Sequence, residues 1–112
     1  LVSGASGGVG SVAVALLAAR GFEVSALSGR PQHRDYLLGL GATEVVPRDE
    51  FSDRSRPLEK QRWAAAVDSS GGDILAGILS RLSYGGSVAA CGLAADTALK
   101  TTVMPFILRG VS

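Results

Sequence analysis

The feature that most limits what this chain can fold into stands at its start. Leu1-Val2-Ser3-Gly4-Ala5-Ser6-Gly7-Gly8-Val9-Gly10 runs directly into Ser11-Val12-Ala13-Val14-Ala15-Leu16-Leu17. The end of an apolar strand, a glycine-rich turn and the start of a helix follow one another without a break. Such a turn offers backbone N–H groups, and the helix N-terminus adds roughly half a positive charge. Together they make a seat for a phosphate or pyrophosphate, which points to a nucleotide ligand.

The glycines fit two registers. Ala5-x-Gly7-x-x-Gly10 is a dinucleotide fingerprint with alanine in the first glycine place. In it Gly7 lets the backbone approach a pyrophosphate, and Gly10 lets the helix pack on the sheet. Gly4-x-x-x-Gly8-x-Gly10 is the pattern of short-chain dehydrogenases. That chemistry needs a Tyr-x-x-x-Lys pair, whose lysine lowers the tyrosine pKa. Tyr36 is followed four places on by Leu40, and Tyr84 by Val88. Neither fits, so the second register is rejected. No Gly-Lys-Ser/Thr follows the turn, which excludes a P-loop.

Downstream, short apolar runs alternate with helical stretches. A helix is predicted over residues 8–20, with Val9, Val12, Ala13, Leu16 and Leu17 at helical spacing and Gly21 as its stop. A strand over 23–27 follows. A second helix after Pro31 carries Tyr36, Leu37 and Leu40 on one side and stops at Gly41. Residues 43–46 read as a strand closed by Pro47. The polar stretch 48–62, with its loose arginine cluster, reads as a solvated surface connection containing a short helix. Residues 63–67 form a strand ending at Asp68. Ile74, Leu75, Ile78, Leu79 and Leu82 repeat at helical period. Tyr84-Gly85-Gly86 turns the chain into a last strand over 87–91, and the tail 101–112 is apolar. This order specifies an α/β fold: a Rossmann-like doubly wound parallel sheet with helices on both faces. A six-stranded sheet needs one more strand, expected to begin at Val111-Ser112. The chain opens inside an apolar strand at Leu1, so it reads as a piece truncated at both ends.

Composition narrows the partners. A chain of 112 residues, 46% hydrophobic and 19% charged, is one domain with a core. A formal net charge of +1 gives no reason to expect nucleic acid or an anionic membrane surface. No apolar run approaches a membrane span, and no signal peptide is evident at the start. Cys91 is the only cysteine and His33 the only histidine, which cannot furnish a structural zinc cage. No intrachain disulfide can form, and a reducing cytoplasm fits.

The second informative site follows the strand over 23–27. A domain that binds NAD places Asp or Glu there for the ribose 2′-OH. This chain has Ser28-Gly29-Arg30. A hydroxyl, a close backbone N–H and a guanidinium fork suit a 2′-phosphate, so NADPH is expected over NADH. Arg48 is a second cation for the adenine end, read equally as a solvated arginine. The strand ends at Asp68-Ser69-Ser70-Gly71 and Cys91-Gly92-Leu93 should face the same crevice. There Gly92 would let the nicotinamide half pass close to backbone. Asp68 reads as a base or, in preference, as a carboxylate capping the following helix. Cys91 reads as a small buried apolar residue, His33 as a surface residue and Tyr84 as the anchor of a turn.

Ala5-Ser6-Gly7-Gly8-Val9-Gly10 with Ser28-Gly29-Arg30 resembles the cofactor domain of zinc-independent medium-chain dehydrogenases/reductases, in their quinone-oxidoreductase-like branch. Three further stretches, residues 56–61, 84–93 and 101–109, are similar to bacterial NADPH-dependent acrylyl-CoA reductases. The resemblance covers essentially the whole chain. It implies that Ser6, Gly7, Gly8 and Val9 hold the pyrophosphate, and that Ser28, Gly29, Arg30 and Arg48 hold the 2′-phosphate and adenine end. Leu93 and Ile107 would meet the nicotinamide half. The implied reaction adds hydride to the β-carbon of an acrylyl thioester and a proton to the α-carbon. An enone or quinone remains an alternative small-molecule substrate. The implied GroES-like substrate domain and return segment are absent from these residues, so no catalytic residue is assigned. The superfamily commonly forms homodimers through the edge of its cofactor sheet. A nucleotide-sensing module without turnover is the reading from another class.

Overall fold

The computed structural model describes residues 1–51 and 56–112. Its elements are α1 (Gly8–Ala19), β1 (Ser25–Ser28), α2 (Arg34–Gly39), β2 (Glu44–Pro47), β3 (Trp63–Asp68), α3 (Gly72–Arg81), β4 (Leu82–Ala90) and α4 (Met104–Arg109). Short 3₁₀ turns occupy Pro31–His33 and Arg48–Phe51. The second of these is the short helix expected in the 48–62 connection. Residues 52–55 of that connection, Arg54 among them, lie outside the described residues.

All pairings are parallel: β1 with β2, and β3 with β4. Val2 joins the two pairs, bridging Ala26 on one side and Val67 on the other. Its N–H donates to the Ser25 carbonyl (2.9 Å), and its carbonyl accepts from Leu27 (2.8 Å). At the far side the Val88 N–H donates to the Ser112 carbonyl (2.8 Å) and Ser112 donates to Gly86 (3.0 Å). The spatial order is therefore β2, β1, residues 1–3, β3, β4, Ser112. That is the 3-2-1-4-5-6 order of dinucleotide-binding doubly wound sheets, with its switch point beside the opening strand.

Two apolar clusters cover the sheet. Leu27, Val46, Phe51, Trp63, Ile78, Leu79 and Leu82 belong to one; Val2, Val14, Val24, Ala26 and Leu37 belong to the other. Phe51 and Trp63 stack at 5.8 Å between centroids, flanked by Arg81 over Phe51 and Arg62 over Trp63. Arg62 also pairs with Glu44 (3.4 Å) and Glu50 (3.2 Å). The buried Trp63 Nε1–H donates to Ser25 Oγ (3.0 Å), and that hydroxyl donates to Glu44 Oε1 (2.6 Å). Ser25→Ala should therefore cost about 1–3 kcal/mol, because it strands a buried indole N–H. Urea denaturation checks this; an unchanged midpoint would show that the indole finds another acceptor.

Several expectations need correction. On α1 the buried residues are Gly10 and Val14, with Ala13, Leu17 and Ala18 packed against the core; Val9, Val12 and Leu16 are exposed. Ser11 is the helix's only polar side chain, so periodicity alone cannot select its inner face. On α2 the ring of Tyr36 faces out and Leu37 is buried. Leu82 leaves the helical stripe to begin β4, opposite Trp63. The 84–86 turn is an irregularity inside that strand: the register shifts between Trp63 and Ala65, and Gly85 has φ +75°. Tyr84 does not anchor the turn through its side chain, which is 77% exposed. Its backbone N–H donates to Gln61 Oε1 (2.7 Å) instead. Among the described residues no helix is long and apolar enough to cross a membrane.

Candidate functional site

A cleft of about 640 Å³ opens along the carboxyl ends of the strands. Its lining includes Ser6, Gly7, Gly8, Val9, Ser28, Gly29, Arg30, Arg48 and Leu93. Nine of the ten cofactor residues expected from sequence thus meet in one place. Ile107 is not among its lining residues; it lies on α4, 72% exposed.

The floor is the glycine turn. Gly4 adopts φ +54°, a conformation that favours glycine. The Gly7 N–H donates back to the Gly4 carbonyl (3.0 Å), which closes the turn. Gly7 then serves as the N-cap of α1 with no side-chain cap. Ser11 N–H is satisfied by the Gly7 carbonyl (2.9 Å). The N–H groups of Gly8 and Val9 have no acceptor among the described residues. Both residues line the cleft, and a Cβ on Gly8 would meet open space. Gly10 packs the helix on the turn: a Cβ there would collide with the Gly4 carbonyl and the Ala5 Cα.

One end of the cleft is cationic. Ser28 Oγ accepts from the Arg30 N–H (3.2 Å), which folds the Ser28-Gly29-Arg30 turn. Arg48, just past β2, lays its aliphatic stem across Gly29, where a Cβ would come within 3.2 Å of the Arg48 Cδ. Among the described residues neither Arg30 nor Arg48 is ion-paired. Two open guanidinium forks beside a hydroxyl fit a phosphomonoester. Arg48, Ser28, Gly29 and Ile74 also border a second cavity of about 780 Å³, walled by Pro31, Val45, Pro47 and Phe51 among others. Arg34, Asp49, Asp73 and Asp96 also border it, so its walls combine apolar and charged groups.

The other end is built from the loops after β3 and β4. Asp68 is fully buried and its carboxylate is engaged: Ser3 Oγ donates to Oδ1 (2.5 Å), Ser70 N–H to Oδ1 (3.2 Å) and Gly71 N–H to Oδ2 (2.9 Å). The carboxylate braces the loop before α3; the N-cap position itself is held by Gly71. Cys91 is exposed on the cleft rather than buried, with its thiol donating to the Asp68 carbonyl (3.3 Å). The tight approach at Gly92 is to protein backbone: a Cβ there would meet the Ser69 Cα at 2.9 Å. Ser69 and Ser70 line the cleft, on the strand end expected to face it; a Ser-Ser pair between Asp and Gly carries no signature that would give either a role. His33 is partly buried beside the Arg30 turn.

Among the described residues no three His, Cys, Asp or Glu side chains converge to hold a metal ion.

The family model described as "Zinc-binding dehydrogenase" matches residues 8–112. The chain is 56% identical over 113 residues to acrylyl-CoA reductase AcuI of Ruegeria pomeroyi, covering 100% of this chain and 34% of that protein. It is 50% identical to YhfP of Bacillus subtilis, a protein placed among the quinone oxidoreductases, again over 100% of this chain and 34% of the relative. The crystal structure of Escherichia coli K-12 YhdH with bound NADPH superposes with a TM-score of 0.96 at 61% identity, covering 98% of this chain and 34% of that one. YhfP with NAD bound gives 0.95 at 50% identity, covering 99% and 34%. The chain thus spans 34% of the length of the relatives it matches.

Proposed function

The chain belongs to the zinc-binding dehydrogenase family of the medium-chain dehydrogenase/reductase superfamily, and we propose that it is the NADPH-binding part of a reductase acting on an activated C=C bond. The observation that carries this reading is the convergence in one cleft of the open α1 N-terminus with two arginines that have no ion pair among the described residues. NADPH supplies the hydride. The amides of Gly8 and Val9, with Ser6 and Gly7, hold the pyrophosphate at the positive end of α1. Ser28, Gly29, Arg30 and Arg48 hold the 2′-phosphate, and the adenine takes the neighbouring cavity behind Arg48. Leu93 borders the nicotinamide half, and Ile107 is assigned there by family likeness alone. The contribution of these residues is orientation: they fix one face of the nicotinamide toward the substrate. The groups that polarise the substrate lie outside these residues.

The preferred substrate is acrylyl-CoA, reduced to propionyl-CoA, a reading supported by the likeness to the R. pomeroyi acrylyl-CoA reductase. The second reading, a quinone or enone reductase, is supported by the B. subtilis relative. A cytoplasmic homodimer belongs to the same proposal. A steady-state assay of the intact protein with NADPH decides between the substrates. A higher kcat/KM for acrylyl-CoA than for a simple quinone is expected. Equal or better turnover of the quinone would overturn the first reading.

A further inference from the structure

We propose that Asp68 is a positioning residue for the nicotinamide half of the cleft, an inference that rests on the NADPH reading above. Its side chain is fully buried and accepts from Ser3, Ser70 and Gly71 at once. Ser3 belongs to the strand that feeds the glycine turn, and it returns the link: Ser69 N–H donates to Ser3 Oγ (3.1 Å) and Ser69 Oγ to the Ser3 carbonyl (3.3 Å). The loop so fixed then carries the next one. The Asp68 carbonyl accepts from the Cys91 N–H (2.8 Å), the Ser69 carbonyl from Ala94 (3.1 Å) and the Ser70 carbonyl from Ala95 (2.8 Å). Ser69, Ser70, Cys91, Gly92, Leu93 and Ala94 are one wall of the cleft. One carboxylate therefore sets the spacing between that wall and the pyrophosphate turn.

The cationic end stands apart from this network. Ser28, Arg30 and Arg48 sit at the ends of β1 and β2, and none shares a side-chain hydrogen bond with Asp68, Ser3 or Ser69. Asparagine in place of Asp68 turns one acceptor oxygen into an N–H₂ donor. Whichever oxygen is replaced, a donor then faces a donor, and the loop must shift. The shift moves the nicotinamide wall and leaves the 2′-phosphate site in place.

The test compares two probes on the intact protein, well below its unfolding midpoint: NADPH, which spans the cleft, and adenosine 2′,5′-bisphosphate, which carries the adenine, the 2′-phosphate and one phosphate of the pyrophosphate but lacks the nicotinamide half. In Asp68→Asn the Kd for NADPH should rise about tenfold, the scale of a lost buried hydrogen bond. The Kd for the bisphosphate should stay within about twofold. Ser3→Ala removes one of the three donors together with the acceptor of the Ser69 N–H, and should show the same split at about threefold. Equal losses for both probes, or no loss for either, would overturn the proposal. A wild-type protein that binds NADH and NADPH alike would instead sink the NADPH reading. Asp68 would then be judged by whether Asp68→Asn weakens NADH.

Discussion

Arg30→Ala combined with Arg48→Ala is expected to raise the Kd for NADPH about 100-fold and to leave NADH within about twofold. Each guanidinium can make charge-assisted hydrogen bonds to a phosphate, worth about 1–3 kcal/mol apiece. Neither side chain is ion-paired among the described residues, so neither has to break a protein contact to bind. NADH offers only a 2′-hydroxyl at that point, and the arginines gain little from it. Arg30→Ala alone should cost about tenfold for NADPH. Nicotinamide fluorescence titrations of the intact variants give both constants. Parallel losses for both dinucleotides would mean that the arginines act on the fold and not on the 2′-phosphate.

The second large effect concerns the fold at the glycine turn. Gly10→Ala should destabilise by about 1–3 kcal/mol or more, the cost of overpacking a rigid contact. The added methyl would press on the Gly4 carbonyl and on the Ala5 Cα. Those atoms cannot retreat freely: the Ala5 N–H is bonded to the Leu27 carbonyl (3.2 Å), and the Ser3 N–H to Val67 (3.0 Å). Either α1 lifts from the sheet or the turn deforms, and both spoil the phosphate seat. Gly8→Ala is the control. Its Cβ meets open space, and alanine relieves the helix of a glycine, so stability should hold or rise by about 0.5–1 kcal/mol. Denaturant midpoints compare the two. A Gly10→Ala protein as stable as Gly8→Ala would refute the packing role.

The parts of the fold legible in the sequence are those governed by local chemistry. The turn from 3 to 10 needs glycines whether or not the rest of the chain is present. The parallel order follows from alternating strands and helices, and Ser112 takes up pairing with β4 where a further strand was expected to start. The Ser28-Gly29-Arg30 turn sits where a dinucleotide fold reads the ribose, and the structure joins it to the glycine turn in one cleft.

What stayed hidden depends on distant partners. Phe51 lies in a run of charged residues that reads as surface. It is buried because Gly77 on α3 leaves a gap for its ring, where a Cβ would come within 2.7 Å of Cδ1. Cys91 looks like a small core residue at a strand end, yet β4 ends at Ala90 and the thiol emerges on the cleft. The Ser3–Asp68 link joins residues 65 positions apart, which no local pattern announces. The inner face of α1 could not be chosen by periodicity because nearly every side chain on that helix is apolar; the clearance at Gly10 chooses it.

The proposed selection of NADPH by Arg30 and Arg48 has a concrete alternative, because relatives are seen with NADPH and with NAD bound. The direct measurement is the pair of dissociation constants of the intact wild-type protein for NADPH and NADH, taken at one salt concentration. NADPH should bind tighter than NADH by at least about tenfold. Equal binding, or a preference for NADH, would contradict it.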